Sequence, residues 1–219
     1  MPNSKIEALT KGPKHHFFGF HDLSPWDVSG RYALAMETDF IDRPPKAEEV
    51  ARVCLIDTEN ENALEVLAET RAWNFHQGCR AQWLPGAQGE IIYNDYDNEK
   101  FISVILDVKT GEKKILPHPI YAIHPSGEFG LGVDFVRLQK YGGYGYRSNV
   151  GEVRPPGEVE PQGGIFRVDC TTGEVKPLVP VEENHILTHI TFNPSGSRIC
   201  FLDKSRLPDG GFMQRPITA

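Results

Sequence analysis

The sequence predicts an all-β fold made of repeated antiparallel units, on three observations. An aromatic-rich strand, a Pro/Gly turn and an apolar strand succeed one another in His15–Glu37. The same order returns where Gly78–Gly86 leads into Glu90–Tyr93, Ile120–Gly127 into Phe129–Val133, and His189–Gly196 into Arg198–Leu202. The hairpin Asp107-Val108-Lys109-Thr110-Gly111-Glu112 also repeats, as Asp169-Cys170-Thr171-Thr172-Gly173-Glu174, with Asp57-Thr58-Glu59-Asn60 as a looser copy. In it the Asp side chain caps the turn and the Gly takes a positive φ. Finally, 21 Gly and 17 Pro in 219 residues, against 39% hydrophobic content, suit many short strands joined by turns. Recurrence every ~40–70 residues with several strands per unit is the pattern of a β-propeller.

Taken in order, residues 1–13 are a polar lead with one apolar pulse, Ile6–Leu9, which either frays or pairs late in the chain to close a ring. Four-stranded antiparallel blades are expected at 15–70, 73–117, 119–180 and 185–219, with almost no helix. The third carries an insertion, Arg137–Gln162, rich in Gly, Tyr, Pro and charge. A loop of that length is usually functional or disordered. The fourth unit stops before an outer strand. Residues 1–219 therefore read as one truncated propeller domain, about three and a half blades of a longer ring.

Thirty acidic against 23 basic residues give a net charge of −7, which argues against a nucleic-acid or anionic-membrane partner. No run approaches the ~18 apolar residues of a membrane-spanning helix. The first 13 residues lack the apolar core of a secretory signal, so a cytoplasmic location is expected. Cys54, Cys79, Cys170 and Cys200 are spaced as core thiols rather than as a disulfide or zinc framework.

Propeller geometry directs the search for a site. Loops leading into inner strands and loops joining second to third strands open on the same rim, the default place for a ligand. His16, His76, Gln77 and His185 all lie near the start of an inner strand, which makes them candidate ligands of a divalent metal, with His76 or His185 as a catalytic base. His185 and His189 are ~13 Å apart in a regular strand, so only one histidine per strand joins a cluster. The alternative is that these are hydrogen-bonded structural histidines. Arg43, Arg137 and Arg147 supply guanidinium groups for a carboxylate, and Trp73, Asn94, Tyr144 and Tyr146 supply ring faces and an amide for a sugar. Neither a Gly-x-Ser-x-Gly elbow nor a phosphate-binding loop followed by a helix is present.

The inner strand ending in Pro-Ser-Gly and the Asp-x-x-Thr-Gly-Glu hairpin resemble the WD-repeat-like propellers of bacteria. More narrowly, His15–Trp26 and Ala72–Cys79 resemble an uncharacterised bacterial propeller family, distantly similar to the oligogalacturonate lyases. That resemblance implies a seven-bladed ring and a metal, manganese or similar, held by three histidines and a glutamine partly in a second half beyond this sequence. It also implies β-elimination on an acidic oligosaccharide, in which a cation or Arg neutralises the uronate carboxylate while a base removes the adjacent proton. The competing expectation is a non-catalytic scaffold whose rim binds a glycan or a partner protein.

Overall fold

The computed structural model describes residues 6–147, 163–207 and 209–219. Its strands form four antiparallel sheets, and within each sheet the strands pair in chain order. The first contains β1 (His15–Phe17), β2 (Tyr32–Thr38), β3 (Ala51–Asp57) and β4 (Ala63–Thr70), and the second β5 (Gln82–Trp83), β6 (Glu90–Asp97), β7 (Lys100–Asp107) and β8 (Lys113–Leu116). The third contains β9 (Ala122–Ile123), β10 (Phe129–Val133), β11 (Gly164–Asp169) and β12 (Val175–Pro180). The fourth has β13 (His185–Phe192), β14 (Ile199–Arg206) and β15 (Phe212–Thr218). This is the architecture of a partial β-propeller, as the recurrence predicts.

Period-2 patterning decides how the blades stack. Neighbouring strand residues point to opposite faces, so Ile91, Tyr93 and Val104 pack against Met36, Val53 and Leu55 of the first blade. Their neighbours Ile92 and Ile105 turn the other way, against Ile120 and Val168 of the third. Leu131, Val133 and Ile165 meet Ile186, Leu187 and Phe201 of the fourth. A sheet sandwiched on both faces reads as a near-continuous apolar run, as in Phe101–Leu106, whose residues are all buried and apolar except Ser103. Each such side chain contributes ~1.5–3 kcal/mol of burial.

The hairpins form as expected. Asp107 Oδ1 accepts from the backbone N–H groups of Lys109 and Thr110 at 2.8 and 2.9 Å, and Asp169 Oδ1 from those of Thr171 and Thr172 at 2.9 and 2.7 Å. The turns joining the first and second strands of each blade place glycine at positive φ: Gly30, Gly86, Gly127 and Gly196.

Two expectations need correction. The insertion opens with a helix, α1 (Phe135–Gly142), rather than a loop. Asp134 caps it by accepting from the N–H groups of Val136 and Arg137, Phe135 and Leu138 bury one face, and Gly143 ends it in the left-handed conformation. The remainder of the insertion, 148–162, lies outside the described residues. The inner strands of the first two blades are also shorter than expected. Gly78 and Arg80, both at φ 58°, break the approach to β5. After β1 the chain leaves the sheet at Gly19, where an added Cβ would come within 2.5 Å of the Gln77 carbonyl oxygen. Of the two alternatives for the polar lead, late pairing is not seen: Ile6–Thr10 forms no strand, Ile6 is 97% exposed, and β15 pairs with β14 alone among the described residues.

Two turn glycines test what closes the blades. Gly111 (φ 73°) has open space where a Cβ would go, whereas at Gly127 (φ 74°) a Cβ would sit 2.1 Å from the Pro85 carbonyl oxygen. Left-handed strain costs a non-glycine residue ~1–2 kcal/mol, so Gly111→Ala is expected to lose about that much in urea denaturation. Gly127→Ala adds a backbone clash between blades and is expected to lose clearly more; equal losses would refute the close packing of these two turns.

Candidate functional site: a histidine-lined rim at the blade junction

The four blades are tied together at one buried cation. The Arg80 side chain is fully buried and makes a two-pronged pair with Asp22, each contact 2.9 Å. Its Nε and Nη2 also donate to the Tyr121 carbonyl at 2.9 and 2.6 Å, and its guanidinium stacks 3.9 Å above the Tyr121 ring. The Tyr121 hydroxyl in turn accepts the His189 N–H at 3.2 Å. Asp22 follows β1, Arg80 precedes β5, Tyr121 precedes β9 and His189 lies within β13, so each blade contributes one member.

Polar and aromatic side chains gather above this junction. The Phe20 ring lies 4.1 Å from His21, 4.8 Å from His76 and 5.2 Å from His189. Tyr144 approaches His76 at 5.6 Å and His189 at 6.3 Å, and its hydroxyl accepts from Lys204 Nζ at 3.0 Å. Asn74 Nδ2 donates to the Tyr144 and Gly145 carbonyls and Gln77 Nε2 to that of Tyr144, which docks the segment after α1 onto the second blade. His21 and His76 are exposed; Tyr144, His189 and Lys204 are half-buried.

His189 is the unusual member. It takes φ 56° inside a strand, where the β13–β14 register shifts between Thr188 and Thr191. Burial, reinforced by the positive charge of Lys204 and of His21 and His76 and opposed by Asp22, brings its pKa down to about 4. The imidazole is therefore neutral at pH 7. Its Nδ1 and the Gln77 Oε1 are buried and find no hydrogen-bond partner among the described residues.

The residues singled out from sequence divide sharply. His76, Gln77 and Tyr144 belong to this cluster. His16 does not: its Nε2 bonds Glu37 at 3.0 Å, and Arg52 holds the other oxygen of that carboxylate at 3.0 Å. His185 is likewise spent on Asp203 at 2.7 Å, with Arg215 on the second oxygen at 2.5 Å. The proposed metal set of His16, His76, Gln77 and His185 is thus not brought together. Among the described residues no group of three or more His, Cys, Asp or Glu side chains could hold a metal. The four residues of that set, as placed, do not form a common donor set for one.

The expected sugar contacts are corrected too. Trp73 and Tyr146 are each 1% exposed; the indole N–H donates to the Glu49 carbonyl, and Tyr146 stacks on Phe135 at 4.2 Å. Asn94, also 1% exposed, bridges Ile120, Ser103 and Tyr146. Arg137 donates to the carbonyls of His185 and Glu182, pinning α1 to the fourth blade. Arg43 forms a fork on Glu49 at 2.7 and 2.6 Å over the Phe40 ring. Arg147 is exposed beside the undescribed stretch. Sequence reasoning missed His21 and His189. His21 stood in the opening motif, but His189 was set aside by assuming a regular strand, and nothing local announces its bulge.

No family model and no curated protein matches the chain. Solved structures do match, as β-propellers. A TolB from Acinetobacter baumannii superposes with TM-score 0.57 at 12% identity over 95% of this chain and 42% of its own. An oligogalacturonate lyase from Vibrio parahaemolyticus gives 0.49 at 13% over 89% and 61%, and an oligogalacturonate lyase in complex with manganese gives 0.45 at 13% over 95% and 68%. The chain spans less than two thirds of the first two. These likenesses show the fold alone. No helix among the described residues is long and apolar enough to cross a membrane.

The depressed His189 pKa makes a stability prediction. The unfolded imidazole titrates near ~6.5, so below that pH the unfolded chain binds the proton first. Stability therefore falls as pH drops from 6.5 and levels off near the folded value of about 4. His189→Asn is expected to flatten the curve in that window and leave the loss below pH 4 intact. An unchanged slope in pH-dependent urea unfolding would refute the assignment.

Proposed function

We propose that this propeller is carbohydrate-active and binds an anionic oligosaccharide on the rim formed by His21, His76, Tyr144, His189 and Lys204. One observation carries the reading: a lysine and a neutral, half-buried imidazole share a Tyr-lined surface with two exposed histidines. The ammonium matches a carboxylate, the Tyr144 ring matches the apolar face of a sugar, and imidazole nitrogens match hydroxyls. Arg147, exposed three residues beyond Tyr144, would add a second cation. The opening motif His15–Trp26, which resembles that of the lyase-like propellers, supports the same ligand class. In this reading the exposed His76 takes a proton from such a ligand.

Calorimetric titration with trigalacturonate and with its methyl ester tests this. The acid is expected to bind and the ester to bind at least tenfold more weakly. A charge-assisted hydrogen bond contributes ~1.5–3 kcal/mol, so Lys204→Met is expected to cost roughly 10- to 150-fold in affinity for the acid with little change in melting temperature. Equal affinity for acid and ester, or none for either, would sink the carbohydrate reading. Ultraviolet absorbance of an unsaturated uronate product, abolished in His76→Gln, would establish β-elimination beyond binding.

A further inference from the structure

We infer that Tyr121 is the positioning residue of this rim: its hydroxyl holds the His189 backbone in the left-handed bulge that turns the imidazole into the cluster. The inference deepens the proposed function and rests on that reading for its ligand, though not for its geometry.

The argument begins with an otherwise costly conformation. A non-glycine residue inside a strand does not adopt φ 56° without compensation. The bulge removes the His189 N–H from the β13–β14 ladder, whose paired residues skip from Thr188 to Thr191. A buried N–H left unpaired is unfavourable. The Tyr121 oxygen at 3.2 Å is the acceptor that removes this penalty. The phenol cannot drift away, because it is fully buried, carries Arg80 stacked on its face, and has its own carbonyl held by the same guanidinium. Thr188, also fully buried, lies against the hydroxyl from the side of β13.

The consequence falls on the side chain. With the backbone held in this way, the imidazole faces Phe20 and Tyr144. The charged and titratable groups acting on it come from three elements: His21 and Asp22 after β1, His76 before β5, and Lys204 on β14. Releasing the bulge would let the residue return to extended backbone and the ring swing away from these neighbours. Burial, the largest cause of its low pKa, would then weaken.

The test is Tyr121→Phe in the full chain, which keeps the ring, and with it the Arg80 stack, while removing the acceptor. Nuclear magnetic resonance titration of the His189 ring is expected to show a midpoint near 4 in the wild type and one at least a full unit higher in the variant. Affinity for trigalacturonate is expected to fall about tenfold. A purely packing role for Tyr121 would lower the melting temperature without moving the His189 midpoint, and that outcome overturns the inference. A double-mutant cycle supplies the second check. In a His189→Gly background, where glycine accepts the left-handed backbone and no imidazole remains, Tyr121→Phe is expected to cost no further affinity. An undiminished cost there also overturns the inference. If the wild type binds no acidic glycan, the ligand reading fails, while the ring titration still decides the positioning role.

Discussion

The Arg80–Asp22 pair is the contact on which the arrangement of blades depends. A guanidinium with no solvent exposure is tolerable only when its charge is matched and its donors are used. Here a carboxylate from the first blade accepts from both terminal nitrogens, and a carbonyl from the third takes Nε and Nη2. Interblade apolar packing is non-directional and would allow neighbouring sheets to slide. The fork does not, because two parallel bonds fix both distance and plane. Breaking such a pair from one side typically costs ~3–5 kcal/mol. The geometry of the rim above it is inherited from this anchor, since Phe20 and His21 adjoin Asp22 and His76 shares its turn with Arg80.

Two of the histidines expected to reach the rim from inner strands, His16 and His185, have a different use, and it repeats. In the first blade, His16 of β1, Glu37 of β2 and Arg52 of β3 form one line across the sheet. In the fourth, Asp203 of β14 lies opposite Arg215 of β15 and is reached diagonally by His185 of β13, whose own register partner is Ser205. Both carboxylates are buried, so each needs partners on both oxygens. At Asp203 burial pushes the pKa up, but the bonds from Arg215 and His185 outweigh it and hold the carboxyl below its usual value. Its contribution to stability is present above the ordinary carboxylate range and is lost only as pH falls beneath it. These triads tie strands together within a blade, as Arg80 ties blades to each other.

How much of this was legible in the sequence follows from which features are local. Strand order, the Asp-capped hairpins and the glycine turns depend on residues within a few positions of one another, so recurrence revealed them. The cap at Asp134 and the left-handed Gly143 were equally local, yet the Tyr- and Gly-rich composition of the insertion masked an eight-residue helix. The site was harder to read. Of the residues named on the rim loops, His76, Gln77 and Tyr144 come together in the structure. Trp73, Asn94 and Tyr146 resembled ligand contacts because sequence does not distinguish a polar aromatic rim from a polar aromatic core. Arg80, whose partners lie 58 and 41 positions away, offers no local sign of its role.

Backbone strain links the anchor to the rim. Seven non-glycine residues take positive φ among those described, and five of them, Glu61, Asn62, Asn98, Glu99 and Asn184, occupy turns where such geometry is ordinary. The other two are Arg80 and His189, which contact the two ends of the same residue: Arg80 at the Tyr121 carbonyl, His189 at its hydroxyl. Left-handed backbone at a bulky side chain costs ~1–3 kcal/mol and persists only where the surroundings over-determine it. Tyr121 provides that constraint at both positions, with its ring clamped between a buried cation and the fourth blade. One strained residue supplies the charge that locks the blades, and the other supplies the neutral imidazole of the rim. The position of that imidazole is therefore set by the same contact that sets the blade angle, so a change in how the blades meet would register first at His189.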